Sequence, residues 1–198
     1  MNHWALWGVG VVALGVVSGC SGKQTYQWQE EVLLHDGRVI VIDRSVRTGE
    51  VPVEIGQPPG ESDYTLTFNA SDGKSVTWDG GRDRFVPMIL DFVDGVPYVV
   101  ALGATGLVYP VEGCPAPPYF FFRWRAGEWE RIPYGDFPKA LRDANLTAGL
   151  TYRTPFNEKV ARRELVTRDD VRMLLRTANP EGKMVLEDAP TPMDCLRR

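Results

Sequence analysis

The sequence predicts a β-rich α+β domain: an antiparallel meander of about eight strands in hairpins, with short C-terminal helices packed on it. Two observations predict this fold. From Trp28 to Ile132, apolar or alternating runs are broken by turns that contain glycine, as in consecutive hairpins. After Ile132 the apolar spacing becomes helical, and the sheet is the available apolar surface for such helices. A sandwich, a barrel and a partial propeller all fit this pattern.

Three Asp-Gly dipeptides mark the first three predicted hairpins: Asp36-Gly37, Asp72-Gly73 and Asp94-Gly95. Asp-Gly suits the positive φ angles of tight hairpin turns. We expect loops of about two residues at the first and third turns, and of about three (71–73) at the second. These loops predict the following opposite pairs: Leu34 with Val39, Val32 with Val41, Phe68 with Val76, Leu66 with Trp78, Val93 with Val96, and Leu90 with Val99.

The fourth predicted hairpin turns at Ala126-Gly127, within the aromatic stretch "PPYFFFRWRAGEWERIP". Because side chains alternate between the faces of a strand, this register sorts charged from aromatic residues. One face carries opposite charges across the strands, which mark it as solvated. Its pairs are Arg125 with Glu128 and Arg123 with Glu130.

The other face of this hairpin carries Trp124 opposite Trp129, with Phe122 next in line. We predict that this aromatic face packs in the core of the domain. If the face were uncovered, the same three side chains would form a platform for a sugar or a partner. A foot on a membrane surface is the third and weakest interpretation.

Two helices are predicted after the strands. The first has apolar residues at helical spacing, with Pro138 near its start: Phe137, Ala140, Leu141 and Ala144. The second begins at a capping box formed by Thr167 and Asp170, and Pro180 stops it. Its apolar stripe consists of Val171, Leu174, Leu175 and Ala178. The intervening "LTYRTPFNEKVARREL" is ambiguous between helix and loop.

The N-terminal segment "MNHWALWGVGVVALGVVSG" holds no Asp, Glu, Lys or Arg and ends in small residues, which is typical of a secretory signal peptide. The tetrapeptide Val17-Ser18-Gly19-Cys20 resembles the bacterial lipobox. This resemblance implies cleavage before Cys20 and its triacylation, which anchors a protein at the bilayer essentially permanently. Ser21 in the next position implies the outer membrane, facing the periplasm. The chain then divides into a signal peptide (1–19), Cys20 with a short tether (20–27) and one domain (28–198).

Two cysteines remain after acylation of Cys20, namely Cys114 and Cys195. The compartment implied by the lipobox is oxidising, and disulfides persist there, so we predict that these two form a bond. The alternative is a reactive thiol, which needs a basic partner. Without the signal peptide the sequence has one histidine, His35.

The composition argues against several classes of function. A formal net charge of −4 with interspersed signs is unlike a nucleic-acid binder, and there is no basic cluster for lipid headgroups. The sequence contains no nucleophile elbow, P-loop or metal-binding motif, so we expect no cofactor and no metal. His35 is interpreted as a solvent-facing turn residue. Asp91 lies within the apolar run "MILDFV", opposite Tyr98 in the predicted register, and is the candidate buried acid.

Two hypotheses of function follow. The first is a membrane-anchored periplasmic lipoprotein whose domain is a non-catalytic binding or scaffolding module for an envelope protein or glycan. The second is a small periplasmic hydrolase that uses carboxylates such as Asp91 on envelope glycan. The first hypothesis is preferred, because the anchor signal is strong and the sequence shows no catalytic constellation.

Overall fold

Eight strands form two antiparallel sheets within the residues that the computed structural model describes (24–48, 62–82, 84–147, 154–178 and 195). Sheet 1 consists of β1 (Gln24–Leu33), β2 (Val39–Thr48), β3 (Ser62–Asn69) and β4 (Ser75–Asp79). Sheet 2 consists of β5 (Phe85–Val93), β6 (Val96–Gly103), β7 (Phe120–Arg125) and β8 (Glu128–Ile132). The helices are α1 (Val108–Val111), α2 (Thr154–Ala161) and α3 (Arg168–Ala178). The predicted β-rich α+β meander is confirmed.

The two sheets pack against each other around one shared core, which contains buried apolar side chains from both. Phe68 on β3 meets Phe92 on β5 edge to face, with 5.7 Å between the ring centroids. Trp78 on β4 meets Phe122 on β7 in the same way at 5.6 Å. Such aromatic pairs add to the stabilisation from buried area. Two packed meanders correspond to a sandwich, one of the three architectures that the sequence allowed.

Three of the four predicted hairpin registers are confirmed. In the second hairpin Phe68 lies opposite Val76 and Leu66 opposite Trp78. In the third and fourth hairpins the observed pairs also match those predicted, as follows: Val93 with Val96, Leu90 with Val99, Asp91 with Tyr98, Arg125 with Glu128, Trp124 with Trp129, and Arg123 with Glu130.

The predicted register of the first hairpin is wrong by one residue. Leu33, not Leu34, lies opposite Val39, and Val32 lies opposite Ile40. The Leu34 amide donates to the Arg38 carbonyl at 2.8 Å, so the loop spans 35–37 and is one residue longer than expected. The core explains the shift, because Ile42 is only 1% exposed whereas Val41 is 49% exposed. A slip of one residue would exchange these two faces.

Sheet 2 is buried on both faces, and the segment 134–146 covers its outer face. Phe137 and Leu141 from this segment pack against apolar side chains of β5 to β8. The helix predicted over Phe137 to Ala144 does not form, and only a 3₁₀ turn at Tyr134–Asp136 is present. Such a short helix is marginal by itself. Here the backbone amides of Asn145 and Leu146 instead donate to the Met88 carbonyl, each at 3.1 Å.

The C-terminal helices cover the part of sheet 1 around Trp28 and Val46, on its inner face, the same face as the shared core. Val171 and Leu174 of α3 and Val160 of α2 pack against Trp28 and Val46 on the first two strands. The capping box of α3 is confirmed, because the Thr167 amide donates to the Asp170 carboxylate at 2.9 Å and the Asp170 amide donates back to Thr167 Oγ1 at 3.3 Å. Partial burial raises the pKa of Asp170, but hydrogen bonds from Lys159 and Thr167 outweigh it and hold that pKa below its ordinary value.

A buried ion pair lies on this inner face, between the shared core and the helix-covered cluster. Arg44 Nη1 on β2 donates to both carboxylate oxygens of Glu30 on β1, at 3.1 and 3.0 Å. Glu30 also accepts from Trp28 Nε1 at 2.8 Å and from the Thr147 amide and hydroxyl at 2.7 Å. Arg44 Nη1 reaches the Thr147 carbonyl at 2.9 Å. The carboxylate and the Arg44 side chain therefore tie β1 and β2 to the segment that precedes α2.

The predicted disulfide between Cys114 and Cys195 is present, with 5.8 Å between the Cα atoms. Cys195 packs against the shared core, so the bond joins the C-terminal part of the chain to the residues between β6 and β7. The two cysteines are 81 residues apart. Closing a loop of that length stabilises the folded state by roughly 4 to 5 kcal/mol in the chain-entropy model.

The four tight turns lie at one end of the molecule, and the start of β1 lies at the other. Within each sheet this follows from the up-and-down order of the strands. Between the sheets, Ser71 Oγ in the β3–β4 turn donates to the Gly95 carbonyl in the β5–β6 turn at 3.1 Å. We call the end that carries these turns the turn end. Gln24 pairs with Thr48 at the opposite end.

The first strand begins at Gln24, so the residues from Gln24 to Gln27, predicted as tether, belong to the sheet. The predicted signal peptide, Cys20 and Pro180 fall outside the described residues. No helix in the described part of the chain has the length and hydropathy to cross a membrane.

The buried pair predicts that Arg44→Met lowers the free energy of unfolding by about 3 to 5 kcal/mol, because it strands the Glu30 carboxylate in the interior. Adding Glu30→Gln removes the second charge and keeps an acceptor for Trp28 and Thr147, so we expect the double variant to recover part of the loss. Urea unfolding measures both changes.

Arg47→Met is the matched control, since Arg47 lies on the same strand and pairs with Asp63 while more than half exposed. We expect its effect to stay below about 1 kcal/mol. An Arg44→Met variant as stable as this control would contradict the structural role given to the buried pair.

Candidate functional site

A cleft of about 740 Å³ opens beside the β1–β2 turn at the turn end. Three parts of the chain form its walls: the end of β1 with the turn that follows, the segment 140–145, and one face of α3. We call it the His35 cleft. Its charged and imidazole-bearing lining residues are Glu31, His35, Asp91, Arg142, Asp143, Arg168, Arg172 and Arg176.

The buried carboxylate of Asp91 fixes the position of His35. Asp91 is 4% exposed, and its Oδ1 lies 2.8 Å from His35 Nδ1. Asp91 Oδ2 accepts the His35 backbone amide at 2.8 Å, and Oδ1 also accepts the Phe92 amide at 2.7 Å. Both carboxylate oxygens are therefore engaged. They hold the backbone and the ring of His35 together, so the imidazole has a defined orientation at the mouth of the cleft.

Asn145 also joins the β1–β2 turn to β5. Its Nδ2 donates to the Leu33 carbonyl at 3.0 Å and to the Leu90 carbonyl at 2.8 Å. Its Oδ1 accepts the Leu90 amide at 3.0 Å. Together with Asp91, this side chain fastens the β1–β2 turn of sheet 1 onto β5 of sheet 2. The wall that carries His35 is therefore rigidly held.

The second ring nitrogen of His35 is the one available to a ligand. The side chain is 33% exposed, and no described residue bonds to its Nε2. In a neutral imidazole one nitrogen donates and the other accepts. Because Asp91 is an acceptor, the neutral ring keeps its proton on Nδ1 and presents a lone pair on Nε2. Protonation would convert Nε2 into a donor.

Arginines at every fourth position of α3 form another wall of the cleft. Arg168, Arg172 and Arg176 follow one helix face, beside the stripe that is buried against sheet 1. Within the described residues, Arg168 and Arg176 form no side-chain ion pair, and Arg172 lies 3.9 Å from Asp169. An exposed contact at that distance contributes little. These guanidinium groups are thus available for a ligand.

The acidic groups that line the cleft are mostly engaged with their own surroundings. Glu31 Oε2 accepts the backbone amide of Arg168 at 3.0 Å, which places the start of α3 against β1. Asp91 is committed to His35. Asp143 is exposed on the 140–145 segment. Four arginines and three carboxylates line the cleft, so its formal charge is +1 with His35 neutral, although the chain as a whole is acidic.

Phe122, Trp124 and Trp129, predicted as core residues with a ligand platform as the alternative, lie elsewhere and pack against the shared core. Trp129 Nε1 donates to the Thr77 carbonyl at 2.8 Å, and its ring meets Phe68 edge to face at 6.3 Å. Trp124 lies 5.4 Å from Trp129 between ring centroids, and Phe122 contacts Trp78. These are the contacts expected of core residues near the edge of a sandwich. A ligand platform on their exposed parts stays a prediction.

The remaining predicted site residues are not part of the cleft. Cys20 lies outside the described residues, and the disulfide of Cys114 and Cys195 does not line the cleft. Over the described ranges, no group of three or more His, Cys, Asp or Glu side chains is placed to hold a metal ion.

The cleft was not predicted from the sequence, although the sequence contains part of the pattern that forms it. His35 is an exposed turn residue, as interpreted, but the sequence did not indicate that its ring and amide also bind the buried Asp91. The i, i+4, i+8 spacing of the arginines is visible in the sequence, but it is also typical of an ordinary solvated helix face. Only the tertiary structure brings that face to the same cleft as a histidine 133 positions before its first arginine, Arg168.

Comparison with protein-family models, curated proteins and solved structures finds no match to this chain.

The Asp91 contact predicts the tautomer of His35. In a chain that begins at Gln24, His35 is the single histidine, so long-range ¹H–¹⁵N spectra report it without overlap. We expect the neutral ring to carry its proton on Nδ1. Asp91→Asn should mix the two tautomers and destabilise the fold by about 1 to 3 kcal/mol, because an amide replaces a buried acceptor.

The neighbouring Asp36→Asn serves as the control, since Asp36 bonds Arg38 rather than the imidazole. It should leave the tautomer unchanged. A neutral wild-type ring protonated mainly on Nε2 would rule out the proposed orientation.

Proposed function

We propose that this chain is a lipid-anchored protein of the cell envelope, held at the outer membrane facing the periplasm, whose domain is a non-catalytic binding module. The His35 cleft is its binding site. The observation that carries the proposal is the cleft itself, which is lined both by available guanidinium groups and by an imidazole of fixed orientation. The lipobox resemblance at Val17-Ser18-Gly19-Cys20 supports the anchor, and Ser21 supports the outer membrane.

The position of β1 supports a cleft that faces away from the membrane. Ser21 to Lys23 separate Cys20 from Gln24, and these four Cα–Cα steps span at most about 14 Å. The strand then runs about 30 Å from Gln24 to Leu33, next to the cleft. An acylated Cys20 would thus hold the start of β1 close to the lipid surface. The turn end, with the cleft, would be directed toward the periplasm.

The chemistry of the cleft favours binding over catalysis. Among the described residues that line it, none offers a hydroxyl or thiol nucleophile. Asp91, the acid on which a carboxylate-based hydrolase would depend, has both oxygens occupied by His35 and Phe92. The alternative function is hydrolysis of envelope glycan. In that reaction the His35 imidazole would have to activate a water molecule, and Asp91 would orient the imidazole. That makes Asp91 a positioning residue rather than the acid first considered.

The anchor predicts that the mature protein begins at Cys20 and carries acyl chains there. Mass spectrometry of the N-terminal peptide from purified membranes should show the mass of a triacylated cysteine. Cys20→Ala should abolish acylation, with the uncleaved chain retaining the N-terminal sequence. Detection of an unmodified N-terminus at Cys20 or further along in the wild-type protein would overturn the anchor.

The binding site predicts position-specific crosslinking in intact cells. A photoreactive amino acid at Asp143, which is exposed and lines the cleft, should give one adduct of defined mass. The same amino acid at Lys74, which is exposed in the β3–β4 turn and is not among the lining residues, should not give that adduct. The two positions lie near the same end of the molecule, so they test the cleft rather than accessibility.

Equal adducts at both positions, or none at Asp143, would contradict a binding role for the cleft. The purified protein should also leave peptidoglycan and oligosaccharides intact. Turnover of such substrates that is lost in His35→Gln would favour the hydrolase instead.

A further inference from the structure

We infer that the His35 cleft binds a soluble polyanion, that is, a small ligand with two or three carboxylate or phosphate groups. This inference deepens the proposed binding function and rests on it. Four observations carry it: the arginine-lined wall, the oriented imidazole, the engagement of the nearby carboxylates, and the position of the cleft in the fold.

The guanidinium wall matches the chemistry of carboxylates and phosphates. Arg168, Arg172 and Arg176 lie along one face of α3 and line the cleft. Each guanidinium presents a planar fork of donors that fits a carboxylate or a phosphate in a bidentate manner. A ligand without anionic groups would leave these donors to water. The arginine wall is therefore suited to bind negatively charged groups.

The spacing of the wall sets the spacing of the ligand's charges. Positions four apart on a helix are separated by about 6 Å along its axis, so the three arginines cover about 12 Å. Two or three anionic groups about 6 Å apart can each meet a guanidinium. A single small anion can engage only part of the wall. We therefore expect affinity to rise with the number of anionic groups on the ligand.

His35 adds a contact from another wall of the cleft. Its Nδ1 is held by Asp91, so Nε2 is the ring atom left for the ligand. When the ring is protonated, Nε2 donates to an anionic oxygen. The carboxylates that would repel the ligand are restrained, because Glu31 accepts the Arg168 amide and Asp91 is 4% exposed. Arginines also outnumber carboxylates among the lining residues by four to three, whereas the formal net charge of the whole chain is −4.

The fold favours a soluble source of these anionic groups over the headgroups of the anchoring membrane. The cleft lies at the turn end, roughly 30 Å along β1 from Gln24. The segment 140–145 also walls one side of it. A planar bilayer surface beside Gln24 cannot reach into such a site. A diffusible ligand can.

Calorimetry on the full chain tests the inference. The protein is purified from membranes and placed in nanodiscs of zwitterionic lipid, then titrated with citrate, tripolyphosphate and sulfate. We expect citrate and tripolyphosphate to bind more tightly than sulfate. Arg172→Gln and Arg176→Gln should each weaken binding about tenfold or more, because each removes charge-assisted hydrogen bonds to the ligand.

Arg162→Gln is the matched control. It removes the same charge from an exposed arginine that pairs with Glu158 and does not line the cleft. We expect it to leave the affinity unchanged. Thermal melts check that all three variants are folded, which is expected because their side chains are exposed.

Absence of polyanion binding, or equal binding by wild type and the two cleft variants, overturns the inference. A second arm adds vesicles that contain phosphatidylglycerol. Binding to these vesicles without binding to citrate or tripolyphosphate also overturns it, because the source would then be a lipid headgroup. If Asp143 crosslinks a partner in cells but no polyanion binds, the proposed binding function stands and the ligand class is wrong.

Discussion

The ion pair between Glu30 and Arg44 is the interaction on which the arrangement of this domain depends. It lies between two apolar clusters, one shared by the sheets and one formed with the C-terminal helices. Glu30 binds Thr147, which stands 117 residues later in the sequence. Arg44 Nε and Nη2 are buried and have no hydrogen-bond partner among the described residues, so the charge is compensated through Nη1. A buried charge held in this way tolerates little displacement of its partners. The position of the segment that carries Thr147 therefore depends on it.

The strand order and most of the registers could be predicted from the sequence because they follow from local rules. Period-two alternation and glycine turns specify which side chains face each other once the loop length is known. The first hairpin shows the limit of those rules. The dipeptide at Asp36 allows both a two-residue and a three-residue loop, and burial of Ile42 rather than Val41 decides between them. The helix predicted around Leu141 does not form for a similar reason, because tertiary contacts override the local pattern. Hydrogen bonds to β5 determine the backbone of that segment.

The candidate site was less accessible because its parts are distant in sequence and individually ordinary. A histidine beside a turn, an aspartate in a strand and arginines on a helix face each have a common structural explanation. They form a candidate binding site only together, and what brings them together is the packing of sheet 1, sheet 2 and α3. The disulfide could be predicted because the signal-peptide pattern implies an oxidising compartment and leaves two cysteines to pair. The aromatic hairpin was also assigned mainly to the core, where its contacts place it.

The cover of sheet 1 by α3 joins parts of the chain that are far apart in sequence. The Arg168 amide binds Glu31, which stands 137 positions earlier. Val171 and Leu174 of the same helix pack against Trp28. A chain truncated before α3 would lose this cover and expose an apolar surface around Trp28, and such surfaces promote aggregation. The same truncation would remove the arginine wall, so the helix that covers the apolar surface is also the one that completes the cleft.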